Sequence, residues 1–326
     1  MRKNITGRTN GKYIDTLRPY IKIARFDHCI KQLFILPGSV VAIFLCHIIP
    51  EYNICMRIFL GLLGTTFVAS ANYVINEYLD AEFDKFHPTK KYRPLVNKNV
   101  KFKYIISEYL LLLFCGLFIA STLSENVLFL AALLAVMGII YNVKPLRFKD
   151  IAYADVITES FNMAIRLLIG WFLITSEYLP PLSLVLGYWF TGAYLMSVKR
   201  FSEYRAINNA ELAGKYRKSF QFYTENKLMV QSLFYAIISM FFMGIFLIKY
   251  RIELIIDIPL LCFLYCYYFN LSFAKDSSTQ KPEKLFKEKA LMVLLLFIGI
   301  LSAMLLFVKI PWLYVFAGSQ LISINQ

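Results

Sequence analysis

Charge is scarce in this chain. Only 17% of its 326 residues are charged, against about 25% in an ordinary soluble domain. Hydrophobic residues make up 58%, and the mean hydropathy is +0.56. This balance excludes a disordered chain, a secreted disulfide scaffold and a water-soluble enzyme. Histidine is almost missing: only His28, His47 and His87 are present. None falls on a polar helix face, so no histidine proton relay suggests itself, and His87, beside a proline, reads as a turn element. The six cysteines (Cys29, Cys46, Cys55, Cys115, Cys262 and Cys266) form no CxxC pair. They lie mostly in apolar runs and read as small hydrophobes, with no zinc or redox role. Low-complexity tracts, clear repeats and ten-residue alternating strands are also absent, which leaves helices as the spanning element. No cleavable signal peptide is visible in the polar residues 1–28, and the chain reads as a single domain over 1–326.

What is present is a series of long apolar runs. A spanning helix needs ~20 mostly apolar residues to cross a ~30 Å hydrocarbon layer. Nine segments meet this need: 30–50, 56–79, 104–123, 125–142, 153–175, 179–198, 228–248, 253–273 and 290–316. The expected fold is therefore an all-α integral membrane protein with nine transmembrane helices. Thirty of the 35 basic residues lie at the N-terminal end or in the loops after segments two, four, six and eight. The opposite face has only Arg57, Lys249, Arg251 and Lys309, and Arg166 lies within segment five. By the positive-inside rule the N-terminus and the basic loops face the cytoplasm. The chain is expected to be multi-pass in the cell (inner or plasma) membrane, with its site on the cytoplasmic side and no nucleic-acid partner.

Acid is mixed into those basic loops at helical spacing, which topology alone does not require. In segment two, Asn76, Glu77, Asp80 and Asp84 fall within one arc of about 100°. Carboxylates stacked on one stripe repel each other and are costly to desolvate. A divalent cation shared with a phosphate relieves both problems, and Mg²⁺ prefers such hard oxygen donors. Segment five repeats the theme: Asp155, Glu159, Asn162 and Arg166 form a polar stripe ~16 Å long. Around these stripes stand Lys144, Arg147 and Lys149 before segment five, and Lys199, Arg200 and Glu203 at the end of segment six. Two acidic stripes and several phosphate-binding cations at one membrane face suit metal-assisted cleavage of a diphosphate.

Asn76-Glu77-x-x-Asp80-x-x-x-Asp84 resembles the NDxxDxxxD signature of the UbiA superfamily of intramembrane transferases, with Glu77 in place of the usual Asp. His87-Pro88-Thr89-Lys90-x-x-Arg93-Pro94 resembles the HPxKxxRP run of that superfamily's decaprenyl-phosphate phosphoribosyltransferase branch. The stretch from Tyr141 through Arg147 and Lys149 to Asp155 agrees with that branch. So do Arg166 with Gly170, the run Lys199–Glu203, and Arg217–Phe220 with Tyr223-Thr224. Near the start, Arg25, Lys31 and Gln32 sit where the branch has an R-P-x-Q-W-x-K-N run, but Phe26, His28 and Cys29 replace its Pro, Gln and Trp. The resemblance covers about residues 20–230.

This resemblance implies a UbiA-like bundle and Mg²⁺-dependent transfer of 5-phosphoribose from phosphoribosyl diphosphate to a polyprenyl phosphate, with Mn²⁺ as an alternative ion. Asp80, Asp84 and Asp155 are then the expected catalytic residues, with Asn76, Glu77, Asp80 and Asp84 at the metal. Lys31, Asn76, Lys90, Arg93, Tyr141, Lys149, Arg166, Lys199, Arg200 and Glu203 are expected to bind substrate, and Arg25 is a further candidate at the lipid phosphate. The polyprenyl tail is expected in an apolar groove open to lipid, and a homo-oligomer is compatible with the reading. Two rival readings stand beside it. A UbiA-type prenyltransferase would move a prenyl group from its diphosphate to an aromatic acceptor, and a transporter would use Arg166 and the acids as a path. Clustering of the polar residues at one face argues against the transporter.

Overall fold

The computed structural model describes residues 19–317 apart from 21, 50, 98–100, 275 and 281. Most of the expected polar N-terminal segment therefore lies outside the described residues. Every regular element among them is helical. A stretch of 3₁₀ turns over Phe26–Ile35 leads into α1 (Leu36–Leu45), followed by α2 (Tyr52–Asp84), α3 (Phe102–Ser121) and α4 (Glu125–Asn142). Then come α5 (Ala154–Ile174), α6 (Leu182–Ile207), the short α7 (Ala210–Tyr216), α8 (Glu225–Tyr250), α9 (Ile258–Leu271) and α10 (Lys289–Phe307).

Eight helical segments among the described residues are long and apolar enough to cross a membrane. They match eight of the nine expected runs. The other run, 179–198, falls on the 26-residue α6, whose apolar character is thinned by Tyr188, Trp189, Tyr194 and Lys199. The junction at Ser124 is a true helix start, because its side chain accepts a hydrogen bond from the Val127 backbone at 3.2 Å. Three runs are less regular than the sequence suggested. The first and eighth begin as 3₁₀ turns, Phe26–Ile35 and Ile252–Asp257, before prolines at the starts of α1 and α9. The last ends at Phe307, and a new short helix begins at Pro311. Proline suits a first turn but removes a donor and clashes inside a helix.

Helix α5 is the centre of the bundle. It packs on α1, α4, α6 and the 3₁₀ stretch. Its Ile165, Ile169 and Leu173 join Val68, Leu130 and Leu134 in one core cluster. Its contact with α1 is unusually close. A Cβ on Gly170 would lie 2.0 Å from the Ile35 carbonyl oxygen, and one on Gly38 would lie 2.0 Å from that of Leu167. Ser39 Oγ fastens the same contact by donating to the Gly170 carbonyl at 2.9 Å. Small residues permit such approach where packing and hydrogen bonds, rather than hydrophobicity, join helices in lipid. On the periphery, Leu110, Leu111, Phe114 and Phe118 of α3 and Leu296, Phe297 and Ile300 of α10 are exposed, as lipid-facing side chains are. The 33 residues of α2 extend ~50 Å, well beyond a ~30 Å hydrocarbon layer. Its acidic end therefore reaches the membrane surface.

Candidate active site

Where α2, α4, α5 and α6 end beside the 3₁₀ stretch, a cavity of about 840 Å³ opens. Twelve of the fourteen expected site residues line it: Lys31, Asn76, Glu77, Asp80, Asp84, Lys90, Arg93, Tyr141, Arg166, Lys199, Arg200 and Glu203. The shared face of the α2 stripe is thus real. Helical spacing brings its four side chains to one wall, and three of them are served from other elements. Asp84 Oδ2 accepts from Arg93 Nη1 at 2.7 Å. Asp80 Oδ1 accepts from Arg147 Nη2 at 3.2 Å and more closely from Lys149. Asn76 donates to Asn142 on α4. Glu77 is 4% exposed and lines the cavity without an ion pair within 4 Å among the described residues.

Two residues need correction. Lys149 does not reach the main cavity; it lies behind Asp80 in a small adjoining recess with Arg147, Asp150 and Arg217. Burial there pushes its ammonium down to about 8, although Asp80 beside it favours the charge. Asp155 is fully buried and also off the cavity wall. Its Oδ2 accepts from Arg200 Nε and Ser219 Oγ, both at 3.2 Å, and its Oδ1 from Tyr223 OH at 2.7 Å. The turn of α5 that exposes Glu159, Asn162 and Arg166 to the cavity leaves Asp155 under the 218–223 segment. In this arrangement Asp155 orients Arg200.

Arg200 is the hub of the α6 wall. It donates to Glu203 Oε2 at 2.9 Å and to Tyr141 OH at 2.9 Å. Lys90 crosses from the α2–α3 loop to Glu203 Oε1 at 2.8 Å and also donates to Tyr216 OH. Burial opposes the Lys90 charge, but Glu203 and Tyr216 outweigh it and raise the ammonium above its ordinary range. His87 holds this loop: its Nδ1 accepts from the Thr89 and Lys90 backbones, each at 3.2 Å. Its ring meets that of Tyr216 edge-on at 4.6 Å. This is a turn-fixing geometry. On the opposite wall, Arg166 donates to Gln32 Oε1 at 2.9 Å and to the Asn162 carbonyl at 3.0 Å. Lys31 and Arg25 lie over the Tyr73 ring, 5.3 and 5.7 Å from its centroid.

The cavity also recruits residues that were not among the expected site set: Lys22, Tyr73, Glu159, Tyr216, Arg217 and Gln280. Glu159 lay on the α5 stripe and could have been chosen. Gln280 had no sequence signal; it arrives because its amide donates to Ser202 Oγ at 3.1 Å.

The wall carries nine Lys and Arg side chains against six carboxylates, so it is built for an anion. Its fit to Mg²⁺ can be tested on the donor set. No group of three or more His, Cys, Asp or Glu among the described residues forms a metal cage. Mg²⁺ does not need one, since it keeps waters and binds through one or two carboxylates plus substrate phosphates. Two buried oxygens on the wall, Asn72 Oδ1 and Asn162 Oδ1, have no hydrogen-bond partner. They lie about two helical turns deeper than Asp80 and Asp84 and are not ligands of such an ion. The hard-oxygen donors that fit a shared ion are the α2 stripe itself, Asn76, Glu77, Asp80 and Asp84 on one wall.

Comparison with known proteins now decides the family. The profile of the UbiA prenyltransferase family matches residues 36–298. The chain belongs to the UbiA prenyltransferase family. It is 26% identical over 213 residues to decaprenyl-phosphate phosphoribosyltransferase of Mycolicibacterium smegmatis, covering 64% of this chain and 63% of that protein. It is 26% identical over 134 residues to digeranylgeranylglyceryl phosphate synthase of Sulfurisphaera tokodaii, covering 40% and 45%. The chain thus aligns with less than two thirds of the length of either relative. Its fold matches that of a UbiA homologue from Archaeoglobus fulgidus bound to GPP and Mg²⁺, with TM-score 0.64 at 19% identity over 91% of this chain and 98% of that one. UbiA superfamily members are transferases, and this chain is a UbiA-type multi-pass membrane protein.

Proposed function

We propose that this UbiA protein transfers 5-phosphoribose from phosphoribosyl diphosphate to a polyprenyl phosphate of the decaprenyl type, releasing diphosphate. One observation carries the reading: the surplus of cations on the cavity wall, drawn from five separate stretches of chain. A prenyl diphosphate is anionic at one end only and needs one cradle. Phosphoribosyl diphosphate is anionic at both ends, and a lipid phosphate adds a third anion. The HPTKKYRP and Lys199–Glu203 runs and the mycobacterial relative point the same way. In this reading the chain is one domain with α6 as its ninth span, its N-terminus and cavity mouth cytoplasmic.

In the transfer, the bond between ribose C1 and the diphosphate oxygen breaks as a lipid phosphate oxygen bonds to C1 from the opposite side. The acceptor is already ionised at neutral pH, so no general base is required, consistent with the scarcity of histidine. Asn76, Glu77, Asp80 and Asp84 would hold Mg²⁺, with Mn²⁺ as an alternative; when bound, the ion supplies charge neutralisation at the leaving diphosphate. Lys90, Arg93 and Arg200 hold donor phosphates, turning from carboxylates that otherwise keep them aligned. Glu203 keeps Lys90 and Arg200 together, and Tyr141 fixes the Arg200 fork. Preorganised charge of this kind is where such an enzyme gains rate.

The test is diphosphate release. Purified protein in detergent with Mg²⁺ and phosphoribosyl diphosphate should release diphosphate only when a polyprenyl phosphate is added. Release with a prenyl diphosphate and an aromatic acceptor instead would replace this reading with prenyl transfer.

A further inference from the structure

The cations of the cavity fall into two groups. Lys90, Arg93 and Arg200 each have a carboxylate oxygen within 3 Å. Lys31, Lys199 and Arg166 line the same cavity and have no carboxylate within 4 Å among the described residues. Arg166 is held by neutral groups, Gln32 and the Asn162 carbonyl. Among the described residues Lys31 has only the face of Tyr73, and Lys199 makes no hydrogen bond or ion pair, although it feels the opposite charge of Glu203 and the like charges of Lys31, Arg200 and Lys90. Like charges facing one space are costly unless an anion joins them.

Depth separates Lys31 and Arg166 from Lys90 and Arg93 as well. Tyr73, which supports Lys31, lies eleven residues before Asp84 on α2, or ~16 Å further in. Arg166 lies eleven residues beyond Asp155 on α5, again ~16 Å in. Lys199 is eight residues before the end of α6, or ~12 Å. Lys90 and Arg93 thus stand at the loop level and Lys31 and Arg166 among the helices, while Lys199 stands on α6 one residue before Arg200 and differs from it in having no carboxylate within 4 Å among the described residues. A soluble anion enters from the loops, whereas a phosphate whose tail lies in lipid is presented at helix level.

Building on the transfer proposed above, we infer that Lys31, Lys199 and Arg166 form a separate phosphate-monoester site at the inner end of the cavity, which seats the headgroup of the lipid acceptor. The same chemistry could be met by the 5-phosphate of the donor, so the probes must separate the two sources.

Full-length protein in detergent is titrated with farnesyl phosphate, farnesol, ribose 5-phosphate and inorganic diphosphate with Mg²⁺. Wild type should prefer farnesyl phosphate over farnesol by about tenfold or more, as expected for charge-assisted contacts. Lys31→Gln and Lys199→Gln should each remove most of that preference, and Lys31→Arg and Lys199→Arg should keep most of it. Diphosphate affinity should stay within about twofold, because its cradle is the other group of cations. Equal binding of farnesyl phosphate and farnesol by wild type overturns the site without needing any variant. Loss of ribose 5-phosphate binding in the Gln variants, with farnesyl phosphate unchanged, assigns these lysines to the donor and also overturns it. Lysine-dependent farnesyl phosphate binding by a protein that never consumes phosphoribosyl diphosphate leaves this site standing while the proposed reaction fails.

Discussion

Gly170→Ala tests how the fold sets the site. The added Cβ would lie 2.0 Å from the Ile35 carbonyl oxygen and 3.0 Å from the Ser39 nitrogen. Both are backbone atoms, so α1 and α5 must separate by more than an ångström to restore ordinary contact. Overpacking of this kind costs about 1–3 kcal/mol, and losing the Ser39–Gly170 hydrogen bond adds about 1 kcal/mol. The total is about 2–4 kcal/mol. The shift also pulls Gln32, which follows Lys31 in the 3₁₀ stretch, away from Arg166, which it meets at 2.9 Å. Gly244 and Gly299 provide controls, since a Cβ at either meets nothing within 4 Å. Alanine there should be neutral or stabilising by about 0.5–1 kcal/mol through helix propensity. Thermal unfolding in one detergent, compared across the three variants, should show a loss of several degrees for Gly170→Ala alone. A Gly170→Ala protein as stable as the two controls would refute the close α1–α5 contact.

Arg93→Ala leaves Asp84, 2% exposed, without its guanidinium and removes a donor-phosphate contact. The KM for phosphoribosyl diphosphate should rise about tenfold or more, with Arg93→Lys recovering only part because it lacks the planar fork. Asp80→Asn and Asp84→Asn should lose most transfer activity while the proteins insert normally, and EDTA should abolish wild-type activity until Mg²⁺ is restored. Activity persisting in EDTA rules out the metal reading. In a background lacking the native exposed cysteines, Glu177→Cys and Glu211→Cys flank α6. Impermeant thiol reagents should reach them from opposite sides of the membrane, and labelling from one side contradicts the ninth span.

Apolar runs made the helices legible because lipid demands them, whereas the α3–α4 break shows no long polar loop in the sequence and is fixed in the structure by the Ser124 cap on the Val127 backbone. The α2 stripe was equally legible: helical spacing alone puts Asn76, Glu77, Asp80 and Asp84 on one wall. Spacing does not say which wall faces which helix. Asp155 shares a stripe with Glu159, yet Ser219 and Tyr223, more than sixty residues away, cover it and leave Glu159 facing the cavity. Lys149 looked like a phosphate ligand in a basic loop, but it folds behind Asp80. The irregular Phe26–Ile35 stretch was hidden for another reason. Its composition suits a span, and only packing against α5 distinguishes 3₁₀ turns from a regular helix.

Transfer of label from donor to lipid tests the central claim most directly. Purified protein, Mg²⁺ and a polyprenyl phosphate are incubated with phosphoribosyl diphosphate labelled in the ribose, and the organic phase is counted. The account predicts ribose label in a lipid product that yields phosphoribose on mild acid treatment. No label in the lipid phase, together with turnover of a prenyl diphosphate onto an aromatic acceptor, would contradict it.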